Sequence, residues 1–172
     1  MYSTGFRNKA TVELNDIKKV FDDFDISFFL ISGAMLGAVR EGDFIDHDWD
    51  IDLGSLDYPS EKTQLGIVGR LTKLGFDFQV DMSKKSGRMR FKRITITDIH
   101  FFEVTDKQAV CKANEKPLLT FPKRFLKLDE AKLRKKTYKI LDKGYLKWMY
   151  NDWETPMKDN YFNKGYDYVQ KI

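Results

Sequence analysis

Apolar residues recur at helical spacing between positions 10 and 24, where Val12, Leu14, Ile17, Val20, Phe21 and Phe24 are separated by Asp16, Lys18, Lys19 and Asp22. That pattern predicts an amphipathic helix packed by one face. Ile26 to Ile31 is a short apolar run that predicts a buried strand, Ser32-Gly33 a tight turn, and Ala34 to Arg40 a short helix closing near Gly42. The period then changes to two. Along an extended chain Asp48, Asp50 and Asp52 emerge on one face and Trp49, Ile51 and Leu53 on the other.

Further on, Ser60 is a suitable N-cap for a helix with Leu65, Ile67, Val68, Leu71 and Leu74 as its buried stripe and Gly75 as its terminator. Phe76, Phe78, Val80 and Met82 alternate with polar residues and predict a half-buried strand, followed by a turn over 83–87. The next strand turns Met89 and Phe91 inward and Arg88, Arg90 and Lys92 outward. After a turn between 91 and 96, the β-branched and aromatic run from Ile94 to Val104 places Ile94, Ile96, Asp98, His100 and Phe102 on one side. Residues 105–125 read as irregular, because Pro117 and Pro122 interrupt any long element. Phe125 to Ile140 reads as a basic surface strand or short helix, and Asp142 to Asp152 as a helix with Tyr145, Leu146, Met149 and Tyr150 inward.

Together these elements predict an α/β (α+β) chain with a mixed β-sheet flanked by helices, and 172 residues suit one domain over 1–172. A hydrophobic fraction of 42% is enough for a packed core and argues against disorder. Cys111 is the single cysteine, which excludes an internal disulfide. With no apolar run of about 18 residues and no secretion signal pattern, the chain is expected to be cytoplasmic and not inserted in a membrane. Thirty basic against 26 acidic residues, for a net +4, suit an anionic ligand without naming one.

The chemistry concentrates at 32–53. Carboxylates set side by side raise one another's pKa, and a divalent cation relieves that crowding. Gly33 would admit a phosphate close to the backbone, and the N–H groups that open the following helix would attract it, with Ser32 beside them. Arg40, Arg90 and Lys92 are candidates for neutralising a pyrophosphate, with Asp48 beside the metal-binding acids. His47 and His100 lie on separate segments without a cysteine partner, a poor zinc signature, and are expected to line a pocket at most.

Ser32-Gly33-Ala34-Met35-Leu36-Gly37-Ala38-Val39-Arg40, followed by Phe44-Ile45 and Asp48-Trp49-Asp50-Ile51-Asp52, resembles the LicD and fukutin-type branch of the nucleotidyltransferase superfamily. Two departures stand out: Asp46-His47 replaces the usual Pro-Trp, and Trp49 replaces the middle acid of an Asp triplet whose outer acids are kept. Asp98-Ile99-His100 is similar to the family's Asp-Ile-Phe segment, and the tail through Trp153 is similar to its Tyr-Gly and Trp segment with Asn151 in the glycine position. The likeness runs from about residue 12 to 156. It implies a nucleotidyltransferase-like sheet in which Asp50 and Asp52 ligate Mg²⁺, with Mn²⁺ as the alternative, and Asp98 is a third ligand or general base. It further implies a CDP-linked donor of phosphocholine or a polyol phosphate and a hydroxyl acceptor, expected to be a glycan.

Two other readings stay open. One is nucleotidyl transfer from an NTP to a small molecule, protein or RNA. The other is a non-catalytic nucleic-acid-binding or regulatory protein, for which the basic balance and the basic clusters at 84–93 and 123–139 are the motive and which the intact outer acids disfavour.

Overall fold

In the computed structural model, the described residues are 4–45, 48–150 and 152–156. Helix α1 (Thr4–Asp22) buries Ala10, Leu14, Ile17, Val20 and Phe21 along one stripe. It passes into strand β1 (Phe29–Leu30), which is shorter than the predicted run: both residues pair with β2, and Leu30 also pairs with Ile140 on the other side. Helix α2 (Ser32–Arg40) leads to strand β2 (Asp50–Ser55). Helix α3 (Glu61–Lys73) opens on the predicted cap, with the Thr63 amide donating to the Ser60 hydroxyl at 3.2 Å, and ends where Gly75 takes φ +85°.

Strands β3 (Asp77–Met82), β4 (Gly87–Lys92) and β5 (Ile96–Phe101) then form an antiparallel meander. Met89 and Phe91 are buried and the alternating bases lie on the opposite face, as their spacing predicts. Phe78 is exposed instead, because β3 is the sheet edge. Leu65 and Leu74 of the predicted α3 stripe are exposed as well, and Ile67 and Leu71 are its buried members. Burying side chains of that size stabilises the fold by roughly 1.5–3 kcal/mol each.

The reading of 105–125 as irregular is overturned. Strands β6 (Glu103–Val104), β7 (Gln108–Ala113) and β8 (Lys116–Pro122) make a small antiparallel sheet. Pro117 sits beside the register shift at Cys111/Lys112 and Pro122 ends β8, so each falls where the ladder tolerates a missing donor. A 3₁₀ turn (Lys123–Leu126) precedes the hairpin of β9 (Asp129–Leu133) and β10 (Lys136–Ile140), and helix α4 (Gly144–Tyr150) closes the described chain.

The seven-stranded sheet has the order β3-β4-β5-β2-β1-β10-β9, with β2/β5 and β1/β10 parallel and the other pairs antiparallel. This is the expected mixed sheet flanked by helices. Its central feature for function is the β2/β5 pair, whose register sets Asp98 level with Asp52 on one face of the sheet. Among the described residues no helix is long and apolar enough to cross a membrane.

Candidate active site

Register brings the acids together. Asp52 on β2 lies opposite Asp98 on β5, which in turn lies opposite Arg90 on β4. Arg90 grips Asp98 with both arms, Nε to Oδ1 at 2.7 Å and the second terminal nitrogen to Oδ2 at 2.6 Å, a fork that fixes the carboxylate's orientation. One step along β5, His100 approaches Asp52 with Nε2 3.3 Å from Oδ1. Asp52, Asp98 and His100 thereby offer three donor atoms within 4.8 Å of one another, the set among the described residues suited to a metal ion. Asp50 opens β2 one alternation earlier, opposite Ile96, and is not a member of that tight set.

The turn ahead of these acids is built around a missing side chain. A Cβ on Gly33 would stand 2.0 Å from Asp48 Oδ2, so the glycine makes room for the Asp48 carboxylate. The left-handed backbone falls on Ser32 at φ +48°, a conformation that costs a non-glycine residue on the order of 1 kcal/mol and concentrates at functional turns. The Ile31 amide donates to the Asp52 carbonyl at 3.2 Å, which ties the lead-in of α2 directly to the acid strand.

Electrostatics separates the members of the row. Burial, reinforced by Asp50 and Asp52, raises the Asp48 carboxyl well above the ordinary range. Burial and the neighbouring Asp52 push Asp50 up to about 7. For His100, burial opposes the charged ring, but the Asp52 carboxylate and Cys111 outweigh it and push the imidazole up to about 10. A cation held by these groups would compete with such protons, as at any carboxylate or imidazole ligand. The donor set and the crowding both fit a divalent ion: Asp52, Asp98 and His100 converge, and Asp48 and Asp50 carry the like-charge strain that such an ion removes.

One positioning residue escapes the motif reading. Glu13, on α1 and 0% exposed, accepts from Arg93 Nε at 3.2 Å and from the amides of Ile94 and Thr95 at 2.5 and 3.0 Å. The Thr95 hydroxyl then donates to the Trp49 carbonyl at 2.8 Å, so the β4–β5 turn fastens the backbone between Asp48 and Asp50. The signal was present in the sequence: Glu13 is an acid on the stripe of Ala10, Leu14 and Ile17.

The remaining candidates divide. Lys92 ends β4 on the face of Arg88 and Arg90, exposed and level with Asp50 two strands away, about 10 Å across the sheet. Arg40 is not part of the cluster. It lies at the opposite end of α2 from Ser32, about 12 Å along the axis, bonding Glu41 and the Trp153 carbonyl at 3.3 Å. Its reach is spent on the C-terminal segment, which sequence spacing did not reveal. His47, with Asp46, lies outside the described residues.

The model of the LicD/FKTN/FKRP nucleotidyltransferase domain matches residues 25–140, about two thirds of the chain. The chain belongs to the LicD/FKTN/FKRP family. Membership makes it a transferase of the nucleotidyltransferase type. No curated protein sequence matches it. Among solved structures, this LicD-type domain is similar to the lincosamide antibiotic adenylyltransferase LnuA with lincomycin bound, at 15% identity and TM-score 0.54 over 84% of this chain and 87% of that one. It is also similar to the antibiotic-resistance factor ANT(2'')-Ia in solution, at 13% identity and TM-score 0.53 over 89% and 77% of the two chains. The crystal structure of ANT(2'')-Ia with adenylyl-2''-tobramycin gives 16% identity and TM-score 0.52 over 87% and 79%. At these identities the likeness establishes the nucleotidyltransferase fold of the LicD-type domain.

Proposed function

We propose that this LicD-type domain transfers a phospho-alcohol unit, phosphocholine or a polyol phosphate, from a CDP-linked donor to a hydroxyl of an acceptor, a glycan being the class we favour. The observation that carries this reading is the level pairing of Asp52 with Asp98 across parallel strands, beside a row of acids raised by their own crowding. Asp50 and Asp52, on the family motif, and Asp98 across from Asp52 would hold Mg²⁺, with Mn²⁺ the alternative. Bound there, the cation would supply charge neutralisation at the phosphoryl oxygens.

The chain's own residues account for the rest. Ser32 and Gly33, beside Asp48 at the mouth of α2, hold the donor phosphates in place. Arg90, anchored on Asp98 through two of its five N–H donors, has the others to offer an anionic oxygen, and exposed Lys92 adds a point charge at the rim. A carboxylate of the cluster, Asp98 or a neighbour, takes the proton of the acceptor hydroxyl as its oxygen bonds to the donor phosphorus. The phosphorus–oxygen bond to CMP breaks in the same displacement, and CMP leaves with the electron pair.

A second reading, nucleotidyl transfer from an NTP to a small hydroxyl compound, draws support from the adenylyltransferase named among the similar folds. Incubation with acceptor pools, Mg²⁺ and labelled CDP-choline, CDP-ribitol or NTPs separates the two. Release of CMP from a CDP-alcohol supports the first, and release of pyrophosphate from an NTP replaces it with the second.

A further inference from the structure

We infer that His100 is a nitrogen ligand of the cation, so that the site selects a transition ion of the Mn²⁺ class over Mg²⁺. The inference rests on the proposal that a divalent ion occupies this cluster and specifies which one. Asp52, Asp98 and His100 form the set of donor atoms within 4.8 Å among the described residues, two oxygens and one nitrogen, whereas the motif acid Asp50 stands outside it.

The imidazole is aimed and held. Its Nε2 faces Asp52 Oδ1 at 3.3 Å, and its Nδ1 lies 3.7 Å from Cys111 Sγ on the far side. Cys111 spends its own hydrogen on the Gly87 carbonyl at 3.1 Å, which leaves sulfur lone pairs to accept the Nδ1 hydrogen. That bond fixes the tautomer whose Nε2 lone pair points at the two carboxylates. The ring is 6% exposed, Cys111 is 0% exposed, and Phe102 lies 6.3 Å from the imidazole centre, so neither partner is placed to swing away. Arg90 occupies one lone pair on each Asp98 oxygen, and a carboxylate has about four, so the Arg90 fork and a cation are compatible.

Mg²⁺ takes oxygen ligands in rigid octahedra and gains little from imidazole. First-row transition ions bind imidazole well, and Mn²⁺ accepts carboxylate and imidazole together. A site that adds an imidazole to its carboxylates therefore discriminates by donor chemistry.

The test is Mn²⁺ itself. The whole chain is titrated with Mn²⁺ while the free ion is followed by electron paramagnetic resonance, Mg²⁺ is added as competitor, and pulsed spectra are compared between natural-abundance and ¹⁵N-histidine protein. Expected are a histidine nitrogen coupling on bound Mn²⁺, Mn²⁺ held at least about tenfold more tightly than Mg²⁺, and loss of both coupling and preference in His100→Phe. Cys111→Val keeps the coupling and weakens Mn²⁺ binding by about tenfold. Because the wild-type spectrum needs no variant, a His100→Phe protein that fails to fold leaves the test intact. Bound Mn²⁺ without nitrogen coupling, equal competition by Mg²⁺, or a coupling that persists in His100→Phe and so belongs to His47, the chain's other histidine, overturns the inference and spares the proposed function. If neither ion binds wild type, the inference falls together with the cation on which the proposed function depends.

Discussion

Two groups of buried acid sit within a short span of this molecule and are treated in opposite ways. Glu13 is fully enclosed, yet a guanidinium and two backbone amides meet its carboxylate. Asp48 and Asp50 are less enclosed, yet the charges that weigh most on them are those of neighbouring carboxylates, with Arg90 committed to Asp98. A buried carboxylate supplied with donors fastens structure. One set among other carboxylates stores electrostatic cost that a bound cation returns as affinity. The two are linked through Thr95, so the satisfied acid holds the frame in which the crowded ones are kept close.

That contrast can be broken most sharply at Asp52. Asp52→Asn removes a group from the crowded row and should lower turnover by at least about a thousandfold in a CMP-release assay, while the melting temperature without metal stays near wild type. An active Asp52→Asn protein would remove the row from the chemistry. Glu13→Ala should do the reverse: it leaves the Ile94 and Thr95 amides without their acceptor, while Arg93 keeps Asp16 and the Leu74 carbonyl, and should cost about 2–4 kcal/mol in urea unfolding.

Asp50→Asn should move stability in the other direction. The folded carboxyl is raised to about 7 from 3.8, so the folded chain holds a proton that the unfolded chain has lost between those values. Metal-free stability therefore falls as pH rises from about 4 through 7, and Asp50→Asn should flatten that fall and gain on the order of 1–2 kcal/mol at pH 8. His100, raised to about 10 from 6.5, adds stability fully present below 6.5 and lost as pH climbs through 10. Thermal melts across pH 5 to 10, with and without divalent cation, check both signs, the cation being expected to shrink the first fall. The smallest effect should come from Thr95→Val, which deletes the bond to the Trp49 carbonyl and should cost about 1 kcal/mol, with weaker cation binding than that loss of stability alone would cause.

Much of this is legible in the sequence. Alternation put Asp50 and Asp52 on one face, put Asp98 and His100 together on another strand, and turned Arg90 away from Met89 and Phe91, as the structure has them. Ser60 and Gly75 marked the ends of α3. The β7–β8 hairpin was obscured, since prolines at a bulge and at a strand end look in sequence like prolines that forbid a strand, and the β9–β10 hairpin was obscured by its run of lysines, which leaves little apolar alternation to read. The Ser32-Gly33 turn was legible, but not that its left-handed residue is Ser32 or that Gly33 is small because Asp48 lies against it.

The sequence by itself determined which residues could share a face, because side-chain direction along a helix or strand follows from local backbone period. It determined the family through one continuous motif. Only the tertiary structure decided which faces meet: that β5 lies parallel to β2, so Asp98 stands level with Asp52 and His100 reaches it, that Arg90 is spent on Asp98, and that Arg40 serves the far end of α2. Those choices depend on strand order and register, set by packing between residues as far apart in sequence as Glu13 and Thr95, and no local pattern encodes them.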